Sequence, residues 1–285
     1  MRFVTFRSEL GARPGVVIGD QVVDLSGAGY ADLPAVIAGG ESAVAKAKAW
    51  LAAAPESAVR SLSAVALLAP LQRPPKLICV GLNYRDHALE TNMKIPDVPT
   101  IFAKFQTAII GPGENIVLPR SSTKPDYEAE FAFVIGKGGR HIAAENWREH
   151  VFGYTALNDV SARDYQMATT QWTVGKSFDT FAPMGPWIVT ADEIAEPHDL
   201  DISLTIGGEV LQSSNTSNLI FRIPGLVGFL SSVFTLEPGD VVSTGTPAGV
   251  GFARKPPRYL RPGDEVVVSI EGIGELRNPV VAEGS

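Results

Sequence analysis

The chain has 285 residues, 45% of them hydrophobic and 19% charged, with a net charge of −7 and one cysteine, Cys79. A chain of this size buries a substantial core, and its composition is globular. An acidic chain without a Lys/Arg-rich run lacks the footprint that nucleic acid needs, and one cysteine excludes an intramolecular disulfide or a cysteine-based zinc site.

In chain order, strand-like Phe3-Val4-Thr5-Phe6 runs into charges, so a secretory leader is not expected. Val16-Val17-Ile18 and Val22-Val23-Asp24-Leu25 flank Gly19-Asp20, a hairpin signal. Residues 31–68 are Ala-rich and read as helical, broken at Gly39-Gly40 and Pro55. The longest apolar stretch, Leu62 to Leu71, is too short to span a membrane. A cytoplasmic protein without a membrane partner is the expectation. The Pro-rich connector at 69–75 suggests a small N-terminal domain, 1–70, and a larger domain, 71–285.

Beyond the connector, short strands alternate with Gly/Pro turns, which predicts an α+β, mostly β architecture. Lys76 to Val80 reads as a buried strand, with Cys79 a small buried hydrophobe. Asp86 is placed to cap a short helix reaching about Met93. Strands are predicted at 100–105, 115–118, 126–136, 151–159, 182–190, 204–211, 240–243 and 265–270, a short helix at 144–149 and a longer one at 223–234. Leu236-Glu-Pro-Gly-Asp-Val and Leu260-Arg-Pro-Gly-Asp-Glu read as one turn chemistry used twice. His141, His150 and His198 sit in polar, turn-like segments and read as surface residues. Gly175-Lys176-Ser177 is not a phosphate loop, because the first glycine of that motif would fall on Thr170.

Three separated segments gather chemistry. In the first, 81–90, His87 and Glu90 share a face if the segment is helical, and a carboxylate beside an imidazole raises its basicity and fixes its tautomer. In the second, Glu128 and Glu130 lie two apart on one strand. Their Cα atoms are then about 6.6 Å apart, and the two charges repel unless water or a cation compensates. Asp126 shares that face and reads as a supporting or surface residue. In the third, 154–166, Asp159 ends a strand and Arg163 and Gln166 project from the helical turn after it.

These motifs resemble the fumarylacetoacetate hydrolase superfamily, in particular its bacterial acylpyruvase-like and fumarylpyruvate hydrolase-like members. The likeness covers residues from about 71 to 275. It rests on Gly-x-Asn-Tyr-x-x-His at 81–87, Glu-x-Glu at 128–130, Asn-Asp-x-Ser-Ala-Arg-Asp-x-Gln at 158–166, Gly-Lys-Ser-Phe-Asp at 175–179 and Thr-Gly-Thr-Pro-x-Gly at 244–249. The resemblance implies a mixed β-sandwich roll with a small N-terminal α+β accessory domain, and a homodimer. It implies that Glu128, Glu130 and Asp159 bind a divalent ion, Mg²⁺ with Mn²⁺ or Ca²⁺ as alternatives. It makes His87 and Glu90 a water-activating pair and Lys176 a catalytic cation, with Tyr84, Arg163, Gln166 and Thr246 holding the carboxylate and oxo groups of a small oxo-carboxylate substrate.

The residue chemistry agrees. Three carboxylates are hard oxygen ligands, Arg163 suits a substrate carboxylate and Lys176 can neutralise an oxyanion. The leading expectation is metal-dependent hydrolysis of a carbon–carbon bond in an acylpyruvate-like 1,3-diketo acid. Oxaloacetate-type decarboxylation or hydroxymuconate-type isomerisation on the same site is the alternative, and a binding protein without turnover is a third reading.

Overall fold

The computed structural model describes residues 1–284. The N-terminal part opens with antiparallel strands β1 (Arg2–Ser8), β2 (Gly11–Ile18) and β3 (Gln21–Asp24), β2 and β3 joined by the expected Gly19-Asp20 turn. Helix α1 (Leu33–Ala38) starts where the Asp32 side chain accepts from the Ala35 N–H. Helix α2 (Gly40–Ala53) follows the glycine break. The Ala-rich segment is helical only this far. Val59–Ser61 forms β4 against β3, and Leu67–Leu68 forms β5 against β1. Sheet pairing there overrides helix propensity.

The rest of the chain supplies β6 (Leu77–Gly81), α3 (Arg85–Glu90), β7 (Thr100–Ala103), β8 (Ile109–Ile110), β9 (Ile116–Leu118), β10 (Pro125–Asp126) and β11 (Ala129–Ile135). There follow α4 (Trp147–His150), β12 (Val151–Asn158), β13 (Ser161–Ala162), α5 (Arg163–Gln166), α6 (Thr173–Lys176) and β14 (Ala182–Thr190). The chain ends with β15 (Asp201–Ile206), β16 (Glu209–Asn215), α7 (Ile223–Val233), β17 (Val241–Ser243), β18 (Glu265–Ile270) and β19 (Gly274–Ala282). The apolar run expected as one strand at 204–211 is a hairpin, because Gly207 and Gly208 both take positive φ and turn the chain. Asp86 does not cap α3, since Tyr84 holds the cap position and Asp86 Oδ1 accepts from the next N–H instead.

The architecture is α+β and mostly β. A large mixed sheet has the order β4-β3-β2-β1-β14-β12-β11-β17-β6-β7, and a five-stranded sheet has the order β16-β15-β18-β19-β9. Strand β1 pairs with β14, so residues 1–8 extend the sheet that carries the chemistry. The smaller sheet packs on the larger through β11 against β15, β12 against β18 and β14 against β19. Alternation along β11 shows the layering. Phe131, Phe133 and Ile135 enter the core shared with the small sheet, whereas Ala132 and Val134 enter the core shared with α1 and α2. Glu130 has the parity of Ala132 and Val134, so the acid lies on the face away from the small sheet. Among the described residues no helix is long and apolar enough to cross a membrane.

The repeated turn chemistry is real. Gly239 and Gly263 have φ of 90° and 92°, and in each turn the aspartate side chain accepts from the N–H three residues back, at 2.8 Å in both. Two of the three histidines read as surface residues are buried. His150 Nδ1 faces Lys137 O, and His198 Nε2 lies 3.3 Å from the Ile223 N–H.

Asn83 ties the first motif to the rest. Its Nδ2 donates to Phe221 O at 3.0 Å and Thr244 O at 2.8 Å, and its Oδ1 accepts from the Phe221 N–H at 2.7 Å. Asn83→Ala should lower unfolding stability by about 1–3 kcal/mol in urea denaturation, since it strands buried backbone groups. A change within about 0.5 kcal/mol, the usual range for surface substitutions, would remove this latch from the account.

Candidate active site

The site lies at the start of β11 and the end of β12. Ala129 pairs with Asn158, so the residues just outside that pair, Glu128 and Asp159, are neighbours, and the Asp159 N–H donates to Glu128 O at 2.9 Å. Asn158 Oδ1 accepts the Glu128 N–H at 3.0 Å. The strand expected across 126–136 is interrupted at Tyr127 and Glu128, where β10 turns away to pair with β13. One carboxylate oxygen from each of Glu128, Glu130 and Asp159 lies within 4.8 Å of the others, and all three residues are buried.

Three buried cations surround this trio. Lys176 Nζ spans Glu128 Oε2 at 2.7 Å and Asp159 Oδ2 at 2.8 Å. Arg163 pairs through Nη1 with Glu128 Oε1 at 2.7 Å and through Nε with Asp126 Oδ2 at 2.8 Å. Lys104 Nζ lies 2.5 Å from Asp159 Oδ1. Asp126 is wholly buried and not a surface residue: besides Arg163 it accepts from the N–H groups of Tyr127, Gly251 and Phe252. Ser243 Oγ and the Gly245 N–H donate to Glu130 Oε2 at 2.5 and 3.0 Å.

Electrostatics separate the two glutamates. Burial pushes the Glu128 carboxyl upward, but Lys176 and Arg163 outweigh it and hold it down at about 2. Burial pushes the Glu130 carboxyl well above the usual range, and the negative Asp159 and Glu128 act in the same direction. Four buried carboxylates, Asp126 included, thus face three buried cations. The surplus negative charge attracts a cation and the all-oxygen donor set suits a divalent one, so the residues present fit such an ion.

A cavity of about 180 Å³ opens on the trio, and His87, Arg163, Gln166, Lys176, Thr246 and Phe252 are among the residues lining it. His87 Nδ1 lies 3.3 Å from Glu90 Oε2, which leaves Nε2 for the cavity. Glu90 Oε1 accepts from the Gly249 N–H at 2.9 Å. Arg163 Nη2 is buried without a hydrogen-bond partner, a donor available to a ligand. Gln166 Oε1 accepts from Arg163 Nη1 at 2.8 Å, and Thr246 Oγ1 accepts from Gln212 Nε2 at 2.8 Å. Of the expected site residues, Glu90 meets the cavity only through His87, and Tyr84 does not line it. Its ring is wholly buried in the core.

Residues that motif spacing missed are Lys104, Asp126 as a partner of Arg163, Ser243 and Gln212. A lone lysine closing the apolar run Thr100-Ile101-Phe102-Ala103 was the available signal for Lys104.

A buried carboxylate centre held by fixed cations beside an oriented imidazole is the apparatus of an enzyme. A sequence model described as "Fumarylacetoacetate (FAA) hydrolase C-terminal" matches residues 76–281, and the chain belongs to that family. Among similar proteins, rat (Rattus norvegicus) "Oxaloacetate tautomerase Fahd2a, mitochondrial" is 49% identical over 243 residues, 85% of this chain and 77% of that protein. The maleylpyruvate hydrolase of Sphingobium sp. SYK-6, solved with manganese(II) and pyruvate, is 33% identical with a TM-score of 0.85, and 99% of each chain is covered. The 5-carboxymethyl-2-hydroxymuconate delta-isomerase of Mycobacterium smegmatis is 37% identical with a TM-score of 0.81, covering 99% of this chain and 100% of that one.

Asp126→Ala should destabilise the protein by about 3–5 kcal/mol, because it leaves Arg163 buried with one carboxylate partner fewer. Chemical denaturation read by circular dichroism checks this, and wild-type stability in the variant would refute the pairing.

Proposed function

We propose that this enzyme interconverts the enol and keto forms of a small 2-oxo dicarboxylate of the oxaloacetate type. The observation that carries this reading is the 49% identity, over 85% of the chain, to a protein named oxaloacetate tautomerase. The cavity supports it: about 180 Å³ suits a four-carbon diacid, well below the roughly 300–1,000 Å³ of pockets for larger ligands.

The substrate is a dianion, and the chain offers it fixed positive charge. The free Arg163 Nη2 meets a carboxylate, with Gln166 and Thr246 as further hydrogen-bonding partners. Lys176 stands at the oxygen on C2, where charge develops as a C–H bond at C3 breaks. His87 Nε2 moves the proton between C3 and that oxygen, and Glu90 holds the imidazole in the tautomer that can accept it. A divalent ion on Glu128, Glu130 and Asp159 would polarise the C2 carbonyl and stabilise negative charge on its oxygen, with Mg²⁺ the first choice and Mn²⁺ or Ca²⁺ as alternatives. No attacking water is needed, and loss of carbon dioxide from the same substrate would draw on the same charge stabilisation.

Hydrolysis of an acylpyruvate-like acid is the second reading, favoured by the likeness to a maleylpyruvate hydrolase. There His87 would deprotonate water instead of carbon. A homodimer belongs to the proposal as well, and sedimentation velocity tests it.

The deciding experiment offers Mg²⁺-loaded protein the enol form of oxaloacetate and, separately, acetylpyruvate. Loss of the enol absorbance, faster than its spontaneous decay and without carbon dioxide release, is expected. Cleavage of acetylpyruvate at a higher kcat/KM would overturn the tautomerase reading in favour of the hydrolase. His87→Ala should lower kcat by about 10²–10⁴-fold while divalent-ion affinity measured by calorimetry stays unchanged.

A further inference from the structure

Each carboxylate of the trio has one oxygen engaged by a donor fixed in the fold. Lys104 takes Asp159 Oδ1, Arg163 takes Glu128 Oε1, and Ser243 with the Gly245 N–H takes Glu130 Oε2. The remaining oxygens are Asp159 Oδ2 and Glu128 Oε2, spanned by Lys176, and Glu130 Oε1. Lys104 differs from Lys176 and Arg163. Its side chain is fully buried, its Nζ makes a second hydrogen bond to Val160 O at 3.0 Å, and it does not line the cavity. It touches neither the substrate space nor the inward-facing oxygens, so it acts through Asp159.

We propose that Lys104 is a positioning residue that makes Asp159 a one-oxygen ligand, and that it thereby sets the centre's preference for small six-coordinate divalent ions over calcium. This rests on the reading of Glu128, Glu130 and Asp159 as a cation site. Calcium takes about 6–8 oxygens and readily accepts both oxygens of one carboxylate, whereas magnesium holds single oxygens in a tight octahedron and keeps its waters. An ion on Asp159 Oδ2 would have to displace Lys176 into the cavity it lines. One drawn onto Oδ1 would stand beside the Lys104 ammonium, which is fully buried and anchored on Val160 O, where like charges repel strongly. Lys104 therefore closes the two-oxygen mode that calcium would use. Three single oxygens leave an octahedral ion three positions for water or substrate.

The test compares Mg²⁺, Mn²⁺ and Ca²⁺ binding to the full chain by calorimetry, without substrate, for wild type, Lys104→Met and Lys104→Arg. Loss of a positive charge strengthens every divalent ion, so the readout is the ratio of calcium to magnesium dissociation constants. That ratio should fall by about 10-fold or more in Lys104→Met, the scale on which partners of metal ligands act, and stay near the wild-type value in Lys104→Arg, which keeps a donor on Oδ1. Should Lys104→Met not fold, Lys104→Gln, whose shorter amide withdraws from Asp159, makes the same comparison. An unchanged ratio in a folded variant overturns the role of Lys104 and leaves the centre standing. Wild-type protein that binds none of the three ions overturns the centre and this role together.

Discussion

The structure depends on one buried chain of alternating charges: Asp126, Arg163, Glu128, Lys176, Asp159 and Lys104, linked by contacts of 2.5–2.8 Å. Removing each of these groups from water costs several kcal/mol, and attraction to the next member offsets that cost only where geometry is good. Such an array is a weak source of stability. What it supplies is placement: Glu128 and Asp159 cannot rotate without breaking buried ion pairs. Glu130 stands beside this chain, held by hydrogen bonds from Ser243 Oγ and the Gly245 N–H instead of by a cation. Its carboxyl is raised well above the usual range, chiefly by burial and then by the negative Asp159 and Glu128, and a divalent ion at the trio would relieve that repulsion.

The β-architecture explains how residues far apart in sequence reach this array. Antiparallel pairing of β11 with β12 sets Glu128 beside Asp159. Helix α5 begins directly after β13, which pairs with β10, so Arg163 and Asp126 come from opposite ends of the same short ladder. Gly175 lets α6 approach α5: a Cβ there would stand 2.4 Å from the Gln166 nitrogen, so a larger residue would push Lys176 away from the carboxylates.

Much of this was legible in sequence, and the reasons differ by residue. The mostly β class follows from period-2 runs between Gly/Pro turns, whereas parity along the strand pairs only Glu128 with Glu130, and the family resemblance adds Asp159 to them. Local reading failed where partners decided the outcome. Val59-Arg60-Ser61 has no strand signal of its own and becomes a strand because β3 offers an edge. Leu204 to Leu211 is one apolar run until Gly207 and Gly208 fold it back. Asp126 is a surface acid by composition, and its partner Arg163 lies 37 residues on. Lys104 looks like a charge ending a strand, because the acid it serves follows 55 residues later. Pairings of that span leave no periodic trace, and only motif resemblance can stand in for them. Lys104 fell outside every motif and so was missed.

His87 with Glu90 and the carboxylate trio come from different segments, and the proposed proton transfer requires that they keep register. The loop 244–249 supplies that register. The Gly245 N–H donates to Glu130, Thr244 O accepts from Asn83, Thr246 joins Gln212, and the Gly249 N–H donates to Glu90. Gly245 and Gly249 have φ of 95° and 105°, and a Cβ on them would stand 2.8 Å from Val80 O and 2.1 Å from Leu211 O. Only glycine allows both turns. One loop thus grips a carboxylate of the centre, the segment carrying His87 and the glutamate that orients it. A displacement of this loop would move His87 and the carboxylate trio apart and shift Thr246 with them, and misplacement by about 1 Å can cost a rate on the order of 10²-fold.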